Sequence, residues 1–132
     1  MYFPTPNILI TDDDVGFRET LRGIFEPRGF HTLIAGNGEE ALDVVEHEDV
    51  HLLLLDMHMP KLTGLETIRR VKRIRAELPC ILMSAALDEF LIKEAELAQA
   101  FCVLSKPITG RALTDSVQRA LRRAYNWMPS DE

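Results

Sequence analysis

The chain has 132 residues, 46% of them hydrophobic and 27% charged, with a formal net charge of −6 at pH 7. That length suits one domain with a real core rather than two, and no apolar run approaches the roughly 18 residues of a membrane span. The negative balance argues against electrostatic binding to nucleic acid, and the locally basic Arg111, Arg119, Arg122 and Arg123 read as a solvated helix face. Residues 1–6 have neither the basic start nor the apolar stretch of a secretory leader, so a cytoplasmic protein with reduced cysteines is expected. Cys80 and Cys102 lie in apolar strand-like runs and read as small buried hydrophobes, not as a disulfide or metal site.

Residues 7–11 are a short apolar run followed at once by Asp12, Asp13 and Asp14, and Phe17, Leu21, Ile24 and Phe25 then recur at helical spacing. This predicts a strand, an acidic loop and a first helix with Asp14 as its N-cap, leaving Asp12 and Asp13 clustered in the loop. Pro27 and Gly29 end that helix, and a second strand over 30–34 precedes the turn Gly36-Asn37-Gly38. Ala41, Leu42, Val44 and Val45 give the apolar stripe of helix two. A third strand over 50–56 is followed by a loop over 57–64 and by helix three, with Leu65, Ile68, Val71 and Ile74 inward. The fourth strand spans 80–84, and Leu87, Leu91, Ala95 and Ala98 mark the buried side of helix four. Residues 101–105 are the fifth strand, ended by Lys106-Pro107, and Leu113, Val117, Ala120, Leu121 and Ala124 form the stripe of helix five.

Strand–helix alternation with short connections implies right-handed crossovers and an α/β doubly wound sheet, five parallel strands with helices on both faces. For five strands the common order is 2-1-3-4-5, the flavodoxin-like arrangement, which sets strands one and three side by side. The third strand, Val50-His51-Leu52-Leu53-Leu54-Leu55-Asp56, is apolar on both faces, the pattern of a strand covered on both sides. It delivers Asp56 to the carboxyl edge, where open α/β sheets bind ligands. In the expected order Asp12 and Asp13 meet Asp56 there, with Ser84 and Lys106 arriving from strands four and five. Three converging carboxylates repel and raise one another's pKa unless a cation joins them, and hard oxygen ligands suit Mg²⁺. A metal, a compact ammonium and a hydroxyl donor around a nucleophilic carboxylate are what acceptance of a phosphoryl group requires.

Asp12-Asp13, the segment from Asp56 to Pro60 with Gly64, then Ser84-Ala85, then Lys106-Pro107, resemble the receiver domain of two-component response regulators, with the fold of the chemotaxis regulators. The resemblance runs over residues 7–125, so residues 1–125 are read as the receiver and 126–132 as a short tail without an output domain. It implies that Asp56 is the phosphorylated residue and that Mg²⁺ (or Mn²⁺) is held directly by Asp13, Asp56 and the backbone carbonyl of His58, with Asp12 acting mainly through water. Ser84 and Lys106 would contact the phosphoryl oxygens, and the bond before Pro107 is expected to be cis. The implied partner is a sensor histidine kinase or a histidine phosphotransfer protein. The helix 4–strand 5–helix 5 face would signal to an effector or a second copy, with no direct contact to nucleic acid or membrane. The implied chemistry is self-phosphotransfer and autodephosphorylation, not turnover of an external substrate.

Three positions depart from or qualify the pattern. Val103 stands where receivers commonly carry Tyr or Phe, and Gln99 replaces a glycine common at the end of helix four. His58 occupies the position, two after the phosphoacceptor, that tunes phosphoryl loss in the family, and its imidazole reads as a loop side chain in preference to a donor behind the pocket. Phe90 and Leu97, seven residues apart on helix four outside its buried stripe, are expected to be partly exposed beside Lys93.

Other classes fit less well. Haloacid-dehalogenase-like phosphohydrolases place a second Asp two residues after the nucleophile, where this chain has His58. A flavin- or nucleotide-binding flavodoxin-like protein needs a phosphate-cradling loop after strand one, but three aspartates repel phosphate there and no GxxxxGK occurs. A receiver-like scaffold that is never phosphorylated is disfavoured because every pocket group is present.

Overall fold

Strands and helices alternate along residues 5–129, the part of the chain that the computed structural model describes. In chain order they are β1 (Asn7–Thr11), α1 (Val15–Phe25), β2 (His31–Ala35), α2 (Gly38–His47), β3 (Leu52–Asp56), α3 (Gly64–Ile74), β4 (Cys80–Ser84), α4 (Glu89–Leu97), β5 (Cys102–Ser105) and α5 (Gly110–Tyr125). The five strands form one sheet in the order β2-β1-β3-β4-β5, and every pairing is parallel, as expected. Residues 1–4 and 130–132, on which the reading of the leader and part of the tail rested, lie outside the described residues. No described helix is long and apolar enough to cross a membrane.

The strand alternation divides the core in two. Leu9, Leu53, Leu55, Cys80 and Leu82 face one layer, which α2, α3 and α4 complete with Ala41, Val45, Ile68, Val71, Leu91 and Ala95. Ile8, Ile10, Leu52, Leu54, Ile81 and Met83 face the other, closed by α1 and α5 through Leu21, Phe25, Leu113, Val117 and Leu121. Because successive side chains of a strand point to opposite faces, a central strand must be apolar at every position, which is why β3 reads as an unbroken leucine run.

Helix starts are set by side-chain caps. Asp14, Asn37, Thr63, Asp88 and Thr109 each accept a hydrogen bond from the backbone three residues on, and Thr63 with Glu66 forms a reciprocal capping box. Gly29 takes φ +90° after the 3₁₀ turn that follows α1. Gln99 has φ +67° just past α4, so this chain places a glutamine in the left-handed conformation that glycine most often takes at a helix end.

The structure corrects three apolar assignments. Ile74 is 42% exposed, because it lies about 120° round α3 from buried Ile68. Ala124 continues the stripe of α5 but borders an open groove shared with Glu77 and Arg123, and is exposed. Cys80 is fully buried, and burial pushes its thiol up to about 12, whereas Cys102 is only half-buried; both are free thiols. Conversely, Trp127, read as tail, is 6% exposed and packs on Phe30 at 5.5 Å between ring centres, with Phe30 edge-on to Phe25 at 5.7 Å. Asn126, in the left-handed conformation, turns the chain back after α5 so that the indole reaches the α1 layer.

At the other end of the sheet His51 is buried beneath Tyr125, whose hydroxyl donates to the His51 carbonyl oxygen at 2.8 Å, while His51 Nδ1 accepts from the Asn7 amide at 2.9 Å. Burial lowers the His51 pKa against the opposing charge of Asp49. A depressed folded-state value means the unfolded chain takes the proton first, so stability present above the unfolded pKa falls as pH drops through it. Urea unfolding between pH 7.5 and 5 is expected to show this loss, with a shallower slope in His51→Gln. Trp127→Ala is expected to lower stability by about 3 kcal/mol, as truncation of a buried aromatic does, whereas exposed Met128→Ala should shift it by no more than about 0.5 kcal/mol. Both are read from the same urea curves.

Candidate phosphoacceptor site

The five side chains assigned to the pocket from the sequence lie at the carboxyl edge of the sheet. Asp56 ends β3, Ser84 ends β4, Lys106 follows β5, and Asp12 and Asp13 follow β1. Ladder bonds running past the strand ends hold these positions. The Asp12 amide donates to the Ala35 carbonyl oxygen at 3.1 Å, the Met57 amide to Met83 at 2.8 Å, and the Lys106 amide to Ser84 at 2.8 Å. Side-chain alternation does the rest. Leu52, Leu54 and Asp56 share the α1/α5 side, and the same parity carried one residue past β1 and β5 puts Asp12 and Lys106 there too.

The result is a close cluster. Lys106 Nζ lies 3.0 Å from Asp56 Oδ1 and 3.4 Å from Asp12 Oδ2. Asp12 and Asp56 are buried, Asp13 is exposed, and one carboxylate oxygen from each of the three lies within 4.8 Å of the others. Burial raises the Asp12 pKa, opposed by the Asp14 amide, which donates to Asp12 Oδ1 at 2.9 Å, and by the Lys106 charge. For Lys106, burial works against the charge, but hydrogen bonding to Asp56 and the charges of Asp12 and Asp56 outweigh it and hold the ammonium above its usual value. Three hard oxygen donors, two buried and one open to solvent, fit a hard divalent cation with retained waters.

Ser84 is fully buried, and its Oγ accepts from the Ala86 amide at 3.0 Å. His58 is an exposed loop residue, but its ring is not the idle loop side chain expected, since Nε2 lies 3.5 Å from Ser84 Oγ. The Lys106–Pro107 bond is cis. Gly64, the first residue of α3, packs so closely on the Asp56 carbonyl oxygen that a Cβ there would collide with it, and its amide donates to the Met57 carbonyl at 2.9 Å.

Two contributors were legible only as helix residues. Phe17 reads as part of the inward stripe of α1, but its ring lies beneath the Lys106 ammonium at 4.2 Å from the ring centre. Arg18 Nη1 donates to the Asp12 carbonyl oxygen at 3.0 Å, tying α1 to the acidic loop. The one available signal was position, since both stand in the first turn after the aspartates.

The apolar pair on α4 is more exposed than expected, Phe90 at 74% and Leu97 at 73%. Glu94 lies between them on the same flank, and its carboxylate is bridged by Arg69 of α3 at 2.8 Å. Phe90 and Leu97 therefore face the α3 side of α4, and Ile92 is the exposed apolar residue on the opposite flank, towards β5.

The family model for the response regulator receiver domain matches residues 8–118. Sporulation initiation phosphotransferase F of Bacillus subtilis is 36% identical over 114 residues, 86% of this chain and 92% of that protein. The transcriptional regulatory protein CpxR of Escherichia coli is 34% identical over 119 residues, 89% of this chain but 50% of that protein, so the chain spans about half the length of such regulators. Among solved structures, a receiver domain protein from Clostridium thermocellum superposes with a TM-score of 0.84 at 28% identity, covering 89% of this chain and 95% of that one. A CheY-like receiver from Methanospirillum hungatei JF-1 shares the fold with a TM-score of 0.88 at 24% identity, covering 92% and 98%. With a matched model over most of its length and the motif residues gathered at one sheet edge, the chain belongs to the receiver domains of two-component response regulators.

Proposed function

We propose that the protein is a cytoplasmic phosphoacceptor switch in which Asp56 takes a phosphoryl group from the phosphohistidine of a partner kinase or histidine phosphotransfer protein. The observation that carries this reading is the buried Asp56 carboxylate held 3.0 Å from the Lys106 ammonium, beside a second buried carboxylate. Similarity to a protein named a phosphotransferase supports it. An Asp56 oxygen attacks phosphorus, a P–O bond forms as the P–N bond breaks, and the electron pair leaves on the imidazole nitrogen, which takes its proton from solvent. Charge on the transferred oxygens is the main barrier, so positioned cations and donors supply most of the catalysis. Lys106 meets that charge directly and Ser84 donates its hydroxyl hydrogen. Asp13, Asp56 and the His58 backbone carbonyl would hold Mg²⁺ or Mn²⁺, with Asp12 beside them, and the bound ion would neutralise charge on the phosphoryl oxygens. The protein acts on its own aspartate and turns over no external substrate.

The signal then runs from Ser84. Its Oγ accepts from the Ala86 amide in the segment leading to the Asp88 cap of α4, so a hydroxyl drawn to a phosphoryl oxygen pulls on the start of that helix. Val103, β-branched and half-buried in β5, has little rotamer freedom to report the change, which leaves α4 as the moving part of the α4–β5–α5 face. A partner or second copy on that face meets Ile92, while Phe90 and Leu97 present to one reaching over α3.

Incubated with acetyl phosphate and Mg²⁺, the wild-type protein should gain the mass of one phosphoryl group, and Asp56→Asn should gain none while keeping its circular dichroism spectrum. Phosphate on the Asn variant would sink the assignment. By calorimetric titration, Asp13→Ala should weaken Mg²⁺ binding by about tenfold or more and Ser84→Ala by less than about threefold, since a direct anionic ligand outweighs a hydroxyl that meets only the phosphoryl group. Equal curves for the two variants would refute that ordering.

A further inference from the structure

We propose that Phe17 is a positioning residue for Lys106, acting through the face of its ring; this rests on the phosphoacceptor reading above. Lys106 reaches the pocket on a flexible four-carbon stem from the end of an edge strand, with its side chain 23% exposed. Two carboxylates attract the ammonium, but a point charge satisfied by whichever anion is nearest has no preferred direction, and water competes for it. The Phe17 ring supplies a contact of different chemistry, 4.2 Å from ring centre to Nζ, inside the range of a cation–π attraction.

The ring is itself fixed by the acidic loop. Asp14 caps α1 by accepting from the Phe17 amide at 3.2 Å, and the next residue, Arg18, donates to the Asp12 carbonyl at 3.0 Å. The backbone that carries two of the pocket carboxylates thus also sets the height of the ring beneath the ammonium. This matters when the phosphoryl group arrives. As an acyl phosphate, Asp56 no longer offers Lys106 the same carboxylate, and the ammonium must pass to a phosphoryl oxygen. A contact with the ring is indifferent to which anion lies opposite, so it holds Nζ within reach of both partners.

A merely structural role predicts that any apolar side chain of similar size serves. The proposal predicts that an aromatic face is needed, which Phe17→Leu and Phe17→Tyr separate. With acetyl phosphate as donor, which removes any effect on partner docking, Phe17→Leu should slow phosphoryl incorporation by about three- to tenfold, the loss expected for one partly desolvated cation–π contact. Phe17→Tyr should stay within about twofold of wild type on the same ground. In a Lys106→Ala background the Leu substitution should have no further effect, and in the otherwise wild-type protein Phe17→Leu should leave Mg²⁺ affinity unchanged. In the unphosphorylated protein, the Lys106 ε-methylene protons should show an upfield ring-current NMR shift that Phe17→Leu abolishes and Phe17→Tyr retains. Wild-type rates in Phe17→Leu, equal losses in Leu and Tyr, or a loss that persists without Lys106 would each overturn the proposal. If the wild-type protein gained no phosphate, the phosphoacceptor reading would fall, and the ring-current shift would still decide whether Phe17 holds Lys106.

Discussion

Two carboxylates, Asp12 and Asp56, lie buried at one edge of the sheet, and the Lys106 ammonium between them is what makes that arrangement tolerable. Removing charge from water costs several kcal/mol per ion, recovered only where the partner is close and the remaining lone pairs are satisfied. Here the ammonium is 3.0 Å from one carboxylate and 3.4 Å from the other, and the Asp14 amide satisfies part of Asp12. Asp13 stays in water and adds no burial cost. The cluster is compact, short of positive charge, and open on one side, which is the electrostatic condition for admitting a cation.

The rest of the fold serves to hold that edge still. The register of β3 matters at Asp56, because a one-residue slip would leave leucines on both faces but carry the carboxylate to the side opposite Asp12 and Lys106. Gly64 pressed against the Asp56 carbonyl and the capping box at Thr63 fix the loop after β3, while the bonds from Asp12, Met57 and Lys106 to neighbouring strand ends fix the other loops. Rigid strands thus aim the charged groups, and the segment after Ser84, mostly exposed from Ala85 to the start of α4, is left as the part free to respond.

Much of the pocket's character comes from side chains whose role depends on distance. Phe17 and Ser84 are ordinary in composition, a helix phenylalanine and a strand-end serine. One becomes the floor under an ammonium, and the other an acceptor tied to the entrance of α4 and approached by the His58 ring. The α4 surface is similar. Its exposed phenylalanine and leucine turn towards α3 because Glu94, between them, is paired with Arg69.

The order of elements, the parallel class and the placement of Asp12, Asp13, Asp56, Ser84 and Lys106 at one edge of the sheet were all legible in the residues. Strand-end polar groups after apolar runs, caps such as Asp14, and breakers such as Gly29 are local signals, and the physics behind them acts within a few residues. What acts across the fold was not legible. The outward turn of Ile74 follows from its angle on α3, but the exposure of Ala124 and the burial of Trp127 depend on what packs against the end of α5, which no periodicity records. Nor could spacing show that Phe17 lies beneath Lys106, or that the His58 ring reaches Ser84. Those contacts join residues 89 and 26 positions apart, and only the packing of α1 and of the loop after β3 against the strand ends brings them together.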